Sequence, residues 1–475
     1  MIAFRKRRAP IPLLSRAPDG VTERPLGELA ACVLIVLAIV AGSLIDSPRA
    51  VHLGGTTLLG IITLGEIGIG AGALILSRSF PKRVLMLLSP YAAFMLWCGL
   101  SVAWAPPRTQ GLQNAAVFLS FLVLATVTAI ATAEYRSTVE RLITGAMFAA
   151  DAIGLGLVAA SVIIRGWPTN IDVVPWFVHP RALALFALVP LSWHLARWAL
   201  GNERAVLVAC LWVAAVFFSL SRTATASAML LVLLASIVRT RHVRGGGIRG
   251  IRSQYLMFAV VPVLIIGALS FAPFRARLTR SDQLAATTPQ FELRDNGRSE
   301  MWAGVMKSAA ESPVIGKGLG TSESAVSNTY YWVGHPHNDF LRIYHDLGVI
   351  GLLLLVASLG TWWFALWRDW RRHDDDENTT HAALSLAAIG ALLSLVLGML
   401  TDNSLVYGFV MSPTAILVGA GLGAPRRGMR RRRAVRSVEP SSRASNFREP
   451  PDEPQATNEG SGEKLVVRRR KRRRL

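Results

Sequence analysis

Apolar blocks about as long as a bilayer is thick recur along this chain, and they leave few folds open. A helix needs roughly 20 apolar residues to cross a hydrocarbon core. Blocks of that scale stand near 26–45, 56–77, 84–104, 112–132, 143–164 and 181–199. More stand near 204–220, 222–238, 255–273, 347–368, 381–401 and 404–423. The expected fold is all-α, a polytopic membrane protein of about 12 transmembrane helices. Composition agrees, since 17% of the 475 residues are charged against about 25% in soluble domains.

The formal net charge of +21 raises the question of nucleic acid, and its placement answers against it. Basic residues sit in loops and tails, where they orient helices and meet anionic lipid. With the N-terminus placed in the cytoplasm, the basic loops at 79–83, 136–141, 197–204, 239–252 and 368–372 all fall inside. Residues 1–25 then form a basic cytoplasmic N-terminus, and 424–475 a disordered basic cytoplasmic tail drawn to anionic headgroups. The first apolar block is too long for a signal-peptide core and is expected to be retained. Cys32, Cys98 and Cys210 lie in apolar blocks without CxxC spacing and read as small buried hydrophobes.

Residues 26–273 thus carry helices one to nine and 347–423 helices ten to twelve, separated by one large external loop at 274–346. Loops of this length in compact proteins are functional or disordered. This one contains an amphipathic stretch, 298–311, where Trp302, Val305, Met306 and Ala309 form a helical stripe suited to lying on the bundle. Asn296-Gly297 makes a turn before it and Ser312-Pro313 ends it. Gly316, Gly318 and Gly320 follow, a backbone able to bend or to approach a ligand closely.

The loop closes on His335-Pro-His337-Asn338-Asp339, and nine residues then separate Asn338 from Gly348-Val-Ile-Gly351. This puts a proton-exchanging imidazole against the start of an apolar span. On a helix after His337, Leu341, Tyr344 and Gly348 share a face, and the GxxG allows close helix packing. Spacing alone leaves two readings open: a catalytic histidine, or a polar loop whose histidines cap the next helix. Asn338 and Asp339 suit N-caps.

The pattern resembles the O-antigen ligase and Wzy-type polymerase superfamily, whose large periplasmic loop carries a His-(Asn/Ser/Gln)-x9-Gly-x-x-Gly signature. The resemblance extends to the helix count, the place of the long loop, Ser219-Leu-Ser-Arg222-Thr-Ala224 between two spans, and Arg298 with Trp302 and the 313–320 turn. It covers the C-terminal half well and the N-terminal half in topology only. After Gly351 the chain departs, with Leu352-Leu353 where some ligases have Thr-Thr, so ligase and polymerase both stay open.

The resemblance implies an inner-membrane glycosyltransferase. It would move a glycan en bloc from an undecaprenyl-diphosphate carrier to an acceptor hydroxyl on the external face, with inversion and without metal or cofactor. The acceptor is a lipid or protein anchor for a ligase, a second carrier-linked glycan for a polymerase. His337 would be the general base, and Arg222 and Arg298 would bind the carrier's diphosphate, with Arg294 an alternative to Arg298. Arg suits that task because its guanidinium stays charged and grips phosphate oxygens in pairs. A bland partner for Arg222, a headgroup phosphate or a carboxylate of this chain, stays open. His335 and Asn338 join the substrate-binding set, and His179 and Arg181, facing outward at the start of a span, are expected to line the substrate cavity. His345 has no place in the signature. A transporter or flippase for lipid-linked sugars is the rival from another class.

The run His373 to Glu377 resembles a metal cluster but falls in a predicted cytoplasmic loop and reads as solvated charge. Glu66 and Asp151 lie inside apolar spans without an identifiable partner, which leaves function and structural hydrogen bonding equally open.

Overall fold

The computed structural model describes residues 26–45, 48, 51–53, 56–77, 80–106, 108–165, 180–242, 248–278, 298–329, 335–373 and 379–423. The N-terminal segment, Arg294, His179, most of the His373–Glu377 run and the basic tail lie outside them. The helices are α1 Leu26–Ser43, α2 Leu58–Ile75, α3 Lys82–Ser101, α4 Arg108–Arg165, α5 Pro180–Ala199, α6 Ala205–Phe218 and α7 Arg222–His242. They continue with α8 Ile248–Ser270, α9 Ala272–Leu278, α10 Arg298–Ala309, α11 Thr321–Thr329, α12 Asp339–His373, α13 Thr379–Thr401 and α14 Gly408–Leu422. Every apolar block of the sequence coincides with a helix. Among the described residues the one sheet is a pair of two-residue antiparallel strands, β1 His52–Leu53 and β2 Thr56–Thr57.

By length and composition, eight of these helices (α1 to α5, α7, α12 and α13) can cross a membrane. Helices α6 and α14 and the 254–270 part of α8 are shorter apolar helices. Helix α4, 58 residues long, turns at Tyr135, whose φ of −123° and ψ of 42° break it into two arms. Those arms match the separate blocks near 112–132 and 143–164. All 15 residues of α14 are buried, so this helix meets protein on every side.

Lipid gives apolar helices no hydrophobic reason to leave it, so their association rests on close packing of small residues. Helix α14 shows this against α4. A Cβ on Gly419 would lie 2.4 Å from the Ala125 carbonyl oxygen, and one on Gly423 2.2 Å from that of Ala129. Both members are spaced by four, so one helix turn repeats the contact. Elsewhere rings fill the seam: Tyr91 packs on Phe94, Phe121 and Trp362 with centroids 5.1–5.4 Å apart.

The two carboxylates inside apolar spans have partners. Glu66 accepts a hydrogen bond from Ser412 Oγ at 2.9 Å. Asp151 pairs with His194 Nε2 and accepts from Trp212 Nε1, both at 2.8 Å. Both are satisfied by hydrogen bonds from other helices, which sequence position did not reveal.

Two details of the loop differ from the sequence reading. The buried stripe of α10 is Met301, Val305 and Ala309, while Met306 is exposed. The helix is rotated because Met301 and Val305 pack with Val326 and Leu341, and Trp302 donates from Nε1 to the Pro336 carbonyl at 2.7 Å. The glycines approach protein backbone. Gly316, Gly318 and Gly320 all have positive φ, and Lys317 and Gly318 donate their N–H groups to the carbonyls of His345 and Asp346.

Gly348 is the matching piece on the other strand of this seam. Its φ of 66° and ψ of −168° interrupt α12, a conformation open essentially to glycine alone. It serves a bend, where the sequence reading expected helix packing. Val349 and Ile350 then donate to the carbonyls of Pro313 and Val314, so the loop is stitched to the head of the span. A Cβ on Gly348 would lie 2.2 Å from the Val314 carbonyl oxygen. Gly348→Ala is expected to cost about 2 kcal/mol or more, read as a lower melting temperature and faster proteolysis of the 310–320 turn in detergent-purified protein.

Candidate functional site

His337 sits in the short segment between α11 and α12, with a φ of 50°. A non-glycine residue in left-handed backbone costs roughly 1–2 kcal/mol, so the surroundings must hold it there. The buried Asn403 does so, its Oδ1 accepting the His337 backbone N–H at 3.1 Å. Asp339 adds a second tie, accepting the Leu405 N–H at 2.8 Å. Asn338 caps α12 by accepting the Leu341 N–H at 3.0 Å. The ring is 26% exposed, so one edge is fixed while the other stays open.

The fixed edge is Nδ1. It lies 3.2 Å from Asn403 Nδ2 and 3.5 Å from Asp402 Oδ1. Burial by itself would raise the Asp402 pKa. The His337 ring when it carries a proton toward Asp402, the Asn403 N–H and the charge of Arg298 together bring it below the ordinary carboxylate value. Asp402 is therefore an anion at neutral pH.

The same electrostatic contact places Arg298, the first residue of α10, in range of Asp402. Arg222 arrives from another direction. Ser219 Oγ accepts the Ser221 N–H at 3.1 Å, Leu220 turns at a φ of 60°, and α7 starts at Arg222. Thr223 Oγ1 hydrogen-bonds Thr401 Oγ1, which sets the start of α7 beside the residue preceding Asp402. Arg181 follows from register. Helices α5 and α13 run antiparallel, with Gly390 against Ser192 and Gly398 against Leu185. One further turn brings Arg181 level with Asp402. His337, Arg298, Arg222 and Arg181 thus share one end of the bundle.

His335 is drawn into a different cluster. Its Nδ1 stands 3.4 Å from Glu323 Oε1. That oxygen also accepts from Arg342 Nη2 and from Asn114 Nδ2, tying α11, α12 and α4 together. His345 is likewise structural, pairing through Nδ1 with Asp346 at 2.9 Å. Asp346 accepts the N–H groups of Gly320 and Ser322 at 2.8 and 2.7 Å.

Burial would raise Glu323, but His335, Arg342 and Asn114 outweigh it and hold its pKa low. A depressed folded pKa gives stability that is complete above the unfolded value of about 4.3 and is lost as pH falls through the lower folded one. Proteolysis of 310–335 is expected to be unchanged from about pH 8 to 5 and to rise only below about 4. Glu323→Gln should show the loosened pattern at neutral pH.

Beside Asn338 opens a groove of about 500 Å³, lined by Trp302, Met306, Phe340, Tyr344 and Leu352 among others. Trp302 and Met306 lie one and two turns beyond Arg298 on the same side of α10. Leu352 belongs to the span beyond Gly348. The groove is therefore an apolar path between the His337 segment and the membrane-crossing part of α12.

Residues 205–356 match the family model described as O-Antigen ligase (Wzy_C). The chain carries an O-antigen ligase domain. No curated protein matches the chain. The O-antigen ligase domain takes in the Arg222 turn, Arg298, the His337 segment and the Gly348 bend, and stops within α12. Asp402 and Asn403 lie outside it, in the short break between the apolar blocks near 381–401 and 404–423. The signal available was an acidic, amide-bearing pair in a short turn between two apolar blocks, the same setting that singled out Arg222.

Proposed function

We propose that this protein is an inverting glycosyltransferase of the ligase and polymerase type. Its substrate is a glycan on a polyprenyl diphosphate, and the reaction takes place on the external membrane face after about twelve crossings. The observation that carries this reading is His337, held in left-handed backbone with Nδ1 against anionic Asp402 and with Arg298 and Arg222 at the same end of the bundle.

His337 Nε2, on the open edge, takes the proton of the acceptor hydroxyl as that oxygen attacks the anomeric carbon. Asp402 stabilises the imidazolium that forms. The bond from the anomeric carbon to the carrier oxygen breaks, and the electron pair stays on the diphosphate. Arg222 and Arg298 receive that charge as fixed guanidinium donors, so the scheme needs no divalent ion. Backbone N–H groups at the start of α10 add to the anion site. Arg181 and Asn338 complete the walls, with Arg294 a further cation of the loop, while His335 stays with Glu323 outside this set. The groove along Trp302 and Met306 to Leu352 suits the carrier's hydrocarbon chain.

The test supplies purified protein with labelled undecaprenyl-diphosphate glycan and candidate acceptors, lipid or carrier-linked, in the presence of a chelator. Transfer to an acceptor supports the reading, and the acceptor that works separates ligase from polymerase. A strict requirement for added divalent ions rejects the metal-free scheme. Movement of intact donor across proteoliposomes without transfer would favour a flippase.

A further inference from the structure

Two partners compete for one ring nitrogen of His337. Nδ1 lies 3.2 Å from Asn403 Nδ2 and 3.5 Å from Asp402 Oδ1, and the two ask for opposite protonation states. An amide NH₂ only donates, so it needs a bare lone pair on Nδ1. A carboxylate only accepts, so it needs a proton there. The amide cannot resolve the conflict by turning over. Its Oδ1 already accepts the His337 backbone N–H at 3.1 Å, and exchange of O and N would set two donors against each other. A neutral imidazole carries one proton. With Asn403 donating to Nδ1, that proton is on Nε2, and Nε2 then donates where a base must accept.

We propose that Asn403 is a positioning residue that holds unloaded His337 in its Nε2–H form, and that the ring becomes a base by changing partner from Asn403 to Asp402. This rests on the reading of His337 as the general base. The two partners stand at distances from Nδ1 that differ by a few tenths of an ångström. One proton leaves Nε2 for water and another joins Nδ1 from water, so the ring stays neutral.

The carboxylate side is already prepared. Asp402 Oδ1 accepts the Asn403 N–H at 2.9 Å and the Tyr407 hydroxyl at 3.4 Å, and it feels the charge of Arg298. A diphosphate engaging Arg298 draws that cation's field away from Asp402 and leaves the carboxylate a stronger acceptor for Nδ1–H. A ligand shifts an equilibrium only through such a difference between the two states. Donor binding thus favours the base form.

The test is ¹⁵N NMR of full-length protein labelled at histidine, in detergent above the imidazole titration range. The His337 signals are assigned by their loss in His337→Gln. Wild type without donor should show the Nε2–H tautomer. Undecaprenyl-diphosphate glycan should shift it toward Nδ1–H. Asn403→Asp, whose carboxylate accepts from both the backbone N–H and the ring, should show Nδ1–H without donor. The proposal is overturned if unloaded wild type already carries the proton on Nδ1, if donor leaves the tautomer unmoved, or if Asn403→Asp keeps Nε2–H. The unloaded wild-type spectrum decides even where the variant fails to fold. None of these readings needs turnover, whereas failure of the base assignment shows separately as glycan transfer by His337→Gln.

Discussion

His337→Ala is expected to lower glycan transfer by about 10²- to 10⁴-fold, the range a positioned general base supplies, while donor affinity stays within a few-fold of wild type. The binding contacts assigned to the donor belong to Arg222 and Arg298, which come from the starts of α7 and α10 and do not depend on the imidazole. The backbone at position 337 complicates alanine, because its φ of 50° is uncomfortable for any Cβ. His337→Asn is the cleaner comparison, since asparagine tolerates left-handed backbone and offers no base. Both variants should lose turnover alike, measured as labelled product per minute at saturating donor. Wild-type turnover by His337→Asn would remove the histidine from the chemistry.

Loss of donor affinity is the second large effect. Arg222→Ala and Arg298→Ala should each weaken binding of undecaprenyl diphosphate by about 2–3 kcal/mol, roughly 30- to 150-fold, as a charge-assisted contact with phosphate is lost. Lysine at either place should recover only part, because it keeps the charge and loses the planar fork. The two changes should not add, since both residues grip one diphosphate. Arg298→Ala should also depress turnover at saturating donor, because its charge reaches Asp402. Arg222→Ala should not share that second defect to the same degree. Titration of purified variants with labelled carrier at two salt concentrations separates the effects, and unchanged affinity in either alanine variant dismisses that arginine as a clamp.

What was legible in the sequence was what hydropathy encodes locally. Each apolar block became a helix, and the polar segment ending at Gly351 landed where the loop meets a span. Contacts made across the chain were not legible. Glu66 and Asp151 looked solitary because Ser412, His194 and Trp212 reach them from distant helices. The α10 stripe was off by one residue because four apolar residues on a short helix leave its rotation to the partner surface, and Val326 and Leu341 decided it. Gly348 was read as a packing residue, whereas its positive φ serves a bend sealed by Pro313 and Val314. Asp402 and Asn403 carry no spacing signature toward His337, from which two membrane-crossing helices, α12 and α13, separate them, so only the fold shows that they hold its ring.

The measurement that bears most directly on this account is the anomeric configuration of the product formed by purified protein from a donor of defined configuration. Attack by an acceptor oxygen activated at His337, with the diphosphate departing toward Arg222 and Arg298, predicts a single inversion. Retention of configuration would require a double displacement or attack from the face the diphosphate leaves, and would contradict the roles assigned to all three side chains.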